Sequence, residues 1–381
     1  MSFLNGVDKR SRDIMCKYMT YSVSANLLYP VERCLNFYRA VDYLEIMCLD
    51  ESFLLSSLLS ACCMNDYVMG QSPSALTIRH LRKLLMRLNS QLSNVNSKNI
   101  WAVIFTVLTL GNVASVFSDY NAATMHIQGL ERIVELHCGK EYLREYPKFH
   151  FKIDRLDLSR SVSIGKRPLF RPHSVVPEFS WRPFFAGSNP LPAHLTSALS
   201  TPMDTFPKFT VVYNDLRHLT NLINDHIAAG TLMSTEMFHS AIHSIQSRII
   251  YLEGMMEDGV AECLRLGMLA CLTTTFRLPG RKMEYTYLKE RLRDMLQGVR
   301  IPSLGAQRMV FWALMMGIVA VFEADEQWIP HVWSRVVGER MNWEEARKRL
   351  RNGIWITCVH DAPAEQVFLK LELRRMEVGK W

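Results

Sequence analysis

The chain has 381 residues, of which 49% are hydrophobic and 21% charged, and its formal net charge is +7. That composition can bury a substantial core, which excludes a disordered tail, and the length suits one large or two modest domains. The cysteines (Cys16, Cys34, Cys48, Cys62, Cys63, Cys138, Cys263, Cys271 and Cys358) are odd in number and scattered through apolar runs, which points to reduced, buried thiols in an intracellular protein instead of a disulfide framework.

Residues 1–17 read as a short N-terminal tail, and the opening MSFLNGVDKRSRD lacks the basic-then-apolar order of a secretory signal. From residue 18 the pattern is helical nearly throughout, with 3.6-residue periodicity and no clear alternating strand pattern. The stretch SALTIRHLRKLLMRLNSQLS (74–93) is followed by the apolar IWAVIFTVLTLGNVASVF (100–117). Next comes DYNAATMHIQGLERIVELHCGKEY (119–142), one amphipathic helix. Asp119, or Ser118 before it, can cap its first turn. Ala123, Ile127, Leu130 and Val134 recur at helical spacing, with Ile133 widening the stripe, and Gly139 can close the helix in a left-handed conformation.

Eight of the fifteen prolines fall between Pro168 and Pro207, with Gly187, Ser188 and Asn189 among them. Proline removes a backbone donor and fixes φ, so helices are not expected through this region. The expected fold is therefore all-α: a helical half over residues 18–160, an irregular proline-rich connection over 161–207, and a second helical half over 208–381. The aromatics Phe179, Trp181, Phe184 and Phe185 are expected to pack the connection against the helices. In the second half Ser303 can cap the apolar helix that runs through Phe322. Asn342 and Glu345 form a capping pair for a helix from Trp343 to about Asn352. Asp361 before Pro363 is expected to start a last helix over about residues 364–377. The apolar runs at 101–117 and 309–322 could be mistaken for membrane spans. The second has fourteen residues, short of the roughly twenty a bilayer needs, and Gly111, Asn112 and Ser115 interrupt the first. Both read as central helices of a core.

Chemistry-bearing motifs are scarce. The sequence holds no G-x-G-x-x-G, no phosphate loop with Lys-Ser/Thr, no H-E-x-x-H and no G-x-S-x-G. The nearest approaches to an aspartate-rich diphosphate site are 154–157 and 214–218. Neither has the adjacent acids or downstream glutamate that magnesium chemistry uses, and Asp154 and Asp157 read as surface ion-pair partners of Arg155 and Arg160. His239 and His243 share metal-pair spacing but lack an apparent third ligand. The basic clusters at 9–12, 79–87, 166–171, 347–351 and 374–375 are spread over the chain. Arg347, Lys348, Arg349 and Arg351, with Glu344 and Glu345 nearby, read as a solvated helix face. Among the 21 methionines, Met255, Met256, Met268, Met309, Met315 and Met316 suit either an irregular core or a small hydrophobic effector pocket. No catalytic, metal or cofactor residue is assigned, and an enzyme is not expected.

The order A-x-x-H-x-x-G-L-x-x-x-V-x-x-x-x-G, carried by Ala123, His126, Gly129, Leu130, Val134 and Gly139, resembles the signature of the fungal-specific transcription factor regulatory domain. The flanking segments at 74–93, 100–117 and 146–170, and in the second half 261–276, 309–322 and 352–361, are similar in order and spacing. The resemblance implies a nuclear, all-α transcription regulatory domain. Its partners would be proteins of the transcription machinery or a DNA-binding partner, with room for a small hydrophobic effector and no membrane. The signature residues themselves read as structural, His126 partly buried beside the apolar stripe. Such proteins usually begin with six closely spaced cysteines binding zinc on DNA. Here no C-x2-C pair exists, and adjacent Cys62 and Cys63 cannot chelate one metal in ordinary geometry, so direct sequence-specific DNA binding by this chain is not expected. The alternative is a non-catalytic helical scaffold or co-regulator derived from such factors.

Overall fold

The structure, a computed structural model, describes residues 7–20, 30–35, 50–93, 95, 99–137, 147–169, 207–275, 281–338 and 341–378. Among them lie fourteen α-helices and one 3-10 turn, with a single isolated bridge between Leu35 and Met233. The chain separates into two compact units. One takes residues 1–32, 36–171 and 277–283, and the other 33–35, 172–276 and 284–381.

The first unit contains α1 (Lys9–Met19), α2 (Glu51–Val68), α3 (Ala75–Leu92), α4 (Ile100–Val116), α5 (Tyr120–His137) and α6 (Pro147–Ile164). Helix α4 is apolar on all sides, so it has no face to offer water and becomes the centre, packed by α2, α3, α5 and α6. Its Val103 and Ile104 are fully buried, as are Leu59, Leu84, Ile127, Leu130, Val134 and Ile153 around them. Gly111 sets how near α6 can come: a Cβ built there would stand 2.5 Å from Leu156 Cδ2. Residues 277–283 return to this unit, where the Tyr67 hydroxyl donates to the Arg281 carbonyl at 2.8 Å and the Arg281 guanidinium lies 4.6 Å above the Tyr67 ring.

The turn between α4 and α5 decides between the two expected caps. Ser118 has φ 62°. Its N–H donates to the Ser115 carbonyl, and the Asp119 N–H to the Ala114 carbonyl, the pair of bonds that closes a helix when the following residue is left-handed. Asp119 then accepts the Ala122 N–H at 3.0 Å and caps α5. Gly139 and Cys138 lie outside the described residues.

Much of the stretch assigned to an N-terminal tail is helix. Asp8 accepts the Ser11 N–H at 3.0 Å and caps α1, and Met15 is buried with Leu58 and Ala61 of α2. A short basic sequence conceals this, because few of its side chains are apolar and one methionine supplies the anchor. Likewise α6 runs to Ile164, into the stretch assigned to the connection. Residues 170–206, with six of the fifteen prolines and the aromatics Phe179, Trp181, Phe184 and Phe185, lie outside the described residues.

The second unit contains α7 (Pro207–Ala229), α8 (Thr235–Tyr251), α9 (Gly259–Thr275), α10 (Thr286–Gly298), α11 (Leu304–Ala320), α12 (Ile329–Val337), α13 (Trp343–Arg351) and α14 (Thr357–Val378). Helices α9 and α11 form its centre. They approach at Gly267, where a Cβ would meet Trp312 Cζ3 at 2.7 Å and the Ala313 Cα at 3.2 Å. Ser303 caps α11 by accepting the Ala306 N–H at 3.2 Å. Asn342 and Glu345 make a reciprocal capping box on α13. No described helix is long and apolar enough to cross a membrane, and both suspect runs are core helices.

The start of the last helix differs from expectation. It begins at Thr357, and Pro363 sits inside it. Proline there removes one hydrogen bond to the preceding turn, but side chains already hold that turn. Asn224 of α7 donates to the Trp355 carbonyl at 2.7 Å and accepts the Thr357 N–H at 2.8 Å, while His360 Nδ1 accepts the Ile356 N–H at 2.9 Å. Asp361 is an ion-pair anchor, not a cap.

Candidate functional site

Helix α13 is short and strongly cationic, and its positive charges divide between two roles. Arg347 donates from Nε and Nη2 to Asp361 Oδ2 at 2.9 and 2.7 Å, and Arg351 reaches the same oxygen at 2.6 Å. The Trp355 indole N–H donates to the other oxygen at 2.7 Å. Burial alone would raise the Asp361 carboxyl, but these donors outweigh it and hold the group below the usual carboxylate range. Arg347 and Arg351 are thus committed to the body of the unit. The sequence placed all four cations on one solvated face; the structure separates them.

Lys348 and Arg349 turn the other way. With Arg308 of α11 they line a pocket of about 230 Å³. Met309 and Trp312 of α11, Leu264 of α9, Tyr213 of α7, and Asn352 and Gly353 complete the lining. All four apolar or aromatic lining residues are buried, whereas the three cations are exposed. Among the described residues no acidic side chain pairs with Arg308, Lys348 or Arg349, and none lines the pocket. Its walls combine apolar surface with three unneutralised positive charges.

Trp312 is the fixed part of this pocket. Its indole N–H donates to the Ile354 carbonyl at 2.8 Å. The ring edge fills the space left by Gly267, where a Cβ would stand 2.7 Å from it. A side chain fixed by a hydrogen bond at one edge and close packing at the other has little rotameric freedom. The wall is therefore shaped before anything binds.

The signature residues lie on α5 in the first unit. Ala123, Leu130 and Val134 are fully buried with Ile127, as the helical spacing requires. His126 is half-buried, and its Cβ would be 3.5 Å from a side chain at Gly111. Burial lowers the affinity of His126 for a proton, with Asp119 opposing in part. Around Gly129 a Cβ would meet nothing within 4 Å, so no close approach accounts for that glycine.

The remaining candidates resolve into structural roles. Asp157 and Arg160 do pair, at 3.3 Å, but with both side chains almost wholly buried; Arg160 also donates to Thr124 Oγ1 at 3.1 Å and to the Arg167 carbonyl. The surface expectation fails because Asp157 points between α6 and its neighbours, where only a paired charge is tolerable. Asp215 is bound to Arg248 at 2.6 Å. His239 packs against Phe238 on α8 with His243 one turn on, and among the described residues no three His, Cys, Asp or Glu side chains group as a metal site. Met268, Met315 and Met316 are core, so of the methionines singled out only Met309 reaches the pocket. Ser11 links Asp8 and His80 at 2.8 Å each, yet it is fully buried and donates to the carboxylate, so it serves α1 and not a nucleophilic step. Burial pushes the Cys62, Cys263 and Cys271 thiols up to about 12, which keeps them protonated.

Nothing in the sequence marks Arg308 or Tyr213 as a pocket residue, since neither belongs to a recognisable pattern. Asp361 was the available clue: its distance from 347–351 is bridged by the Asn352-Gly353 turn, beyond the range of helix-neighbour pairing. Comparisons with protein-family models, curated proteins and solved structures found no match to this chain. The fold and pocket thus define an all-α protein with a preformed, cation-lined cavity in its second unit.

Proposed function

We propose that this chain is a transcription regulatory domain of the fungal type. It acts in the nucleus through contacts with the transcription machinery or a DNA-binding partner, and it does not read DNA sequence itself. Its two helical halves are joined by the proline-rich connection. The observation that carries this reading is the signature order itself, which from Ala123 to Val134 lies on one capped helix whose Ala123, Ile127, Leu130 and Val134 are all fully buried. Its apolar positions serve packing, which is the structural role the resemblance implies for them.

The test is to tether the full chain to an unrelated DNA-binding domain above a reporter gene in a fungal host. Helix α1 has to be retained, because Met15 packs on α2. Activation or repression relative to the DNA-binding domain alone supports the reading. A silent reporter, with the fusion shown to be folded and nuclear, refutes autonomous regulation and leaves a helical scaffold.

A further inference from the structure

We propose that the pocket between α7, α9, α11 and α13 is a binding site for a small amphipathic carboxylic acid, one anionic group on a single-ring or short-chain apolar body. The inference concerns the second unit alone and stands whether or not the chain regulates transcription.

Three features select this chemistry. The first is charge. Arg308, Lys348 and Arg349 line the cavity, and among the described residues none has an acidic partner there, although Arg347 and Arg351 on the neighbouring faces of α13 both pair with Asp361. Along α13 the paired Arg347 and Arg351 flank the unpaired Lys348 and Arg349, and the unpaired ones line the cavity. An anion entering it gains three charged donors without first breaking an ion pair.

The second is surface. Met309 and Trp312 are 3% and 5% exposed, so beneath the cations the cavity is floored by apolar side chains and not by water. A bare anion such as phosphate leaves this surface uncovered, and a neutral hydrocarbon leaves the cations unused. The third is size. About 230 Å³ falls between the roughly 150 Å³ cavity that admits benzene and the roughly 300 Å³ at which drug-sized sites begin. That size suits a body of one or two rings or a chain of a few carbons, and not a drug-sized ligand.

The test uses the purified full chain and five probes: phenylacetate, octanoate, the neutral amide of each, and inorganic phosphate as the anion-only arm. Binding is followed by titration calorimetry and by thermal unfolding. The expected result is saturable, one-to-one binding of at least one acid, at least about tenfold tighter than its amide, with phosphate failing to compete. The variant Arg308→Gln/Lys348→Gln/Arg349→Gln changes only exposed side chains. It should keep the unliganded melting temperature and lose acid binding by about tenfold or more. Equal affinity for acid and amide, full competition by phosphate, undiminished binding in the triple variant, or no saturation by either acid would each overturn the proposal.

Discussion

His360 makes the protein sensitive to acid in a way that can be calculated. The side chain is completely buried. Its Nδ1 accepts the Ile356 N–H at 2.9 Å, which leaves Nε2 as the donor to Thr274 Oγ1 at 2.7 Å; that hydroxyl passes its own proton to the Cys271 carbonyl at 2.6 Å. Only the neutral ring satisfies this chain of bonds. The Trp355 ring, 4.9 Å away, adds an apolar flank. Burial dominates, and although Asp361 pulls the other way, the pKa is pushed down from 6.5 to about 3. Because the folded value lies below the unfolded one, the contribution is complete above about pH 6.5 and is lost as pH falls from there towards about 3. Between about pH 7.5 and pH 5 the loss is about 2 kcal/mol, with a slope approaching about 1.4 kcal/mol per pH unit. The assay is urea unfolding, followed by tryptophan fluorescence at several pH values, for the native chain and His360→Gln. Glutamine costs about 1–3 kcal/mol at neutral pH through imperfect pairing, but it takes up no proton. The variant should therefore lose about 2 kcal/mol less over the same pH interval. His80, His126 and His218 are also held below their ordinary values, mainly by burial, and act equally in both proteins, so the difference isolates His360. Identical pH slopes for the two proteins would refute the buried neutral imidazole.

Three further outcomes follow from particular contacts. Gly267→Ala places a methyl group 2.7 Å from Trp312 and 3.2 Å from the α11 backbone. It should destabilise by about 1–3 kcal/mol, seen as a lower urea midpoint, and shift the tryptophan emission as Trp312 is displaced. Ser118→Gly relieves a left-handed residue in a helix-closing turn and should raise stability by about 1 kcal/mol in thermal unfolding. Asp361→Ala removes the acceptor shared by Arg347, Arg351 and Trp355. The expected cost is about 2–3 kcal/mol in chemical unfolding, accompanied by weaker salt dependence of stability.

How much of this was legible beforehand depended on the range of the interaction. Local signals were readable: the all-helical pattern, Asp119 among the candidate caps, Ser303, and the Asn342–Glu345 box all express bonds closed within three residues. The apolar runs of α4 and α11 were readable as core because they offer no polar face. Partnerships across the fold were not. Asp157 and Arg160 have the spacing of an ordinary surface pair, and only the packing around α6 buries them. Pro363 forecast a helix start, since sequence cannot show that Asn224, far away on α7, already pins the preceding turn. The pocket was least visible of all. It draws its lining from four helices far apart in sequence, and its unpaired cations stand out only once Asp361 is seen to hold Arg347 and Arg351.

The interleaving of the two units along the chain bears on how the protein is made. The first unit includes residues 277–283, with Tyr67 bound to Arg281, and the second includes residues 33–35. During synthesis the ribosome must therefore produce residues 172–276 before the first unit receives its final segment, whereas domains generally fold as units with the N-terminal one first. The nascent first unit has to wait, partly assembled, while the centre of the second emerges. Two separately expressed halves divided in the proline-rich stretch would each lack a segment that the other carries, so native structure is expected from their co-expression and not from either alone.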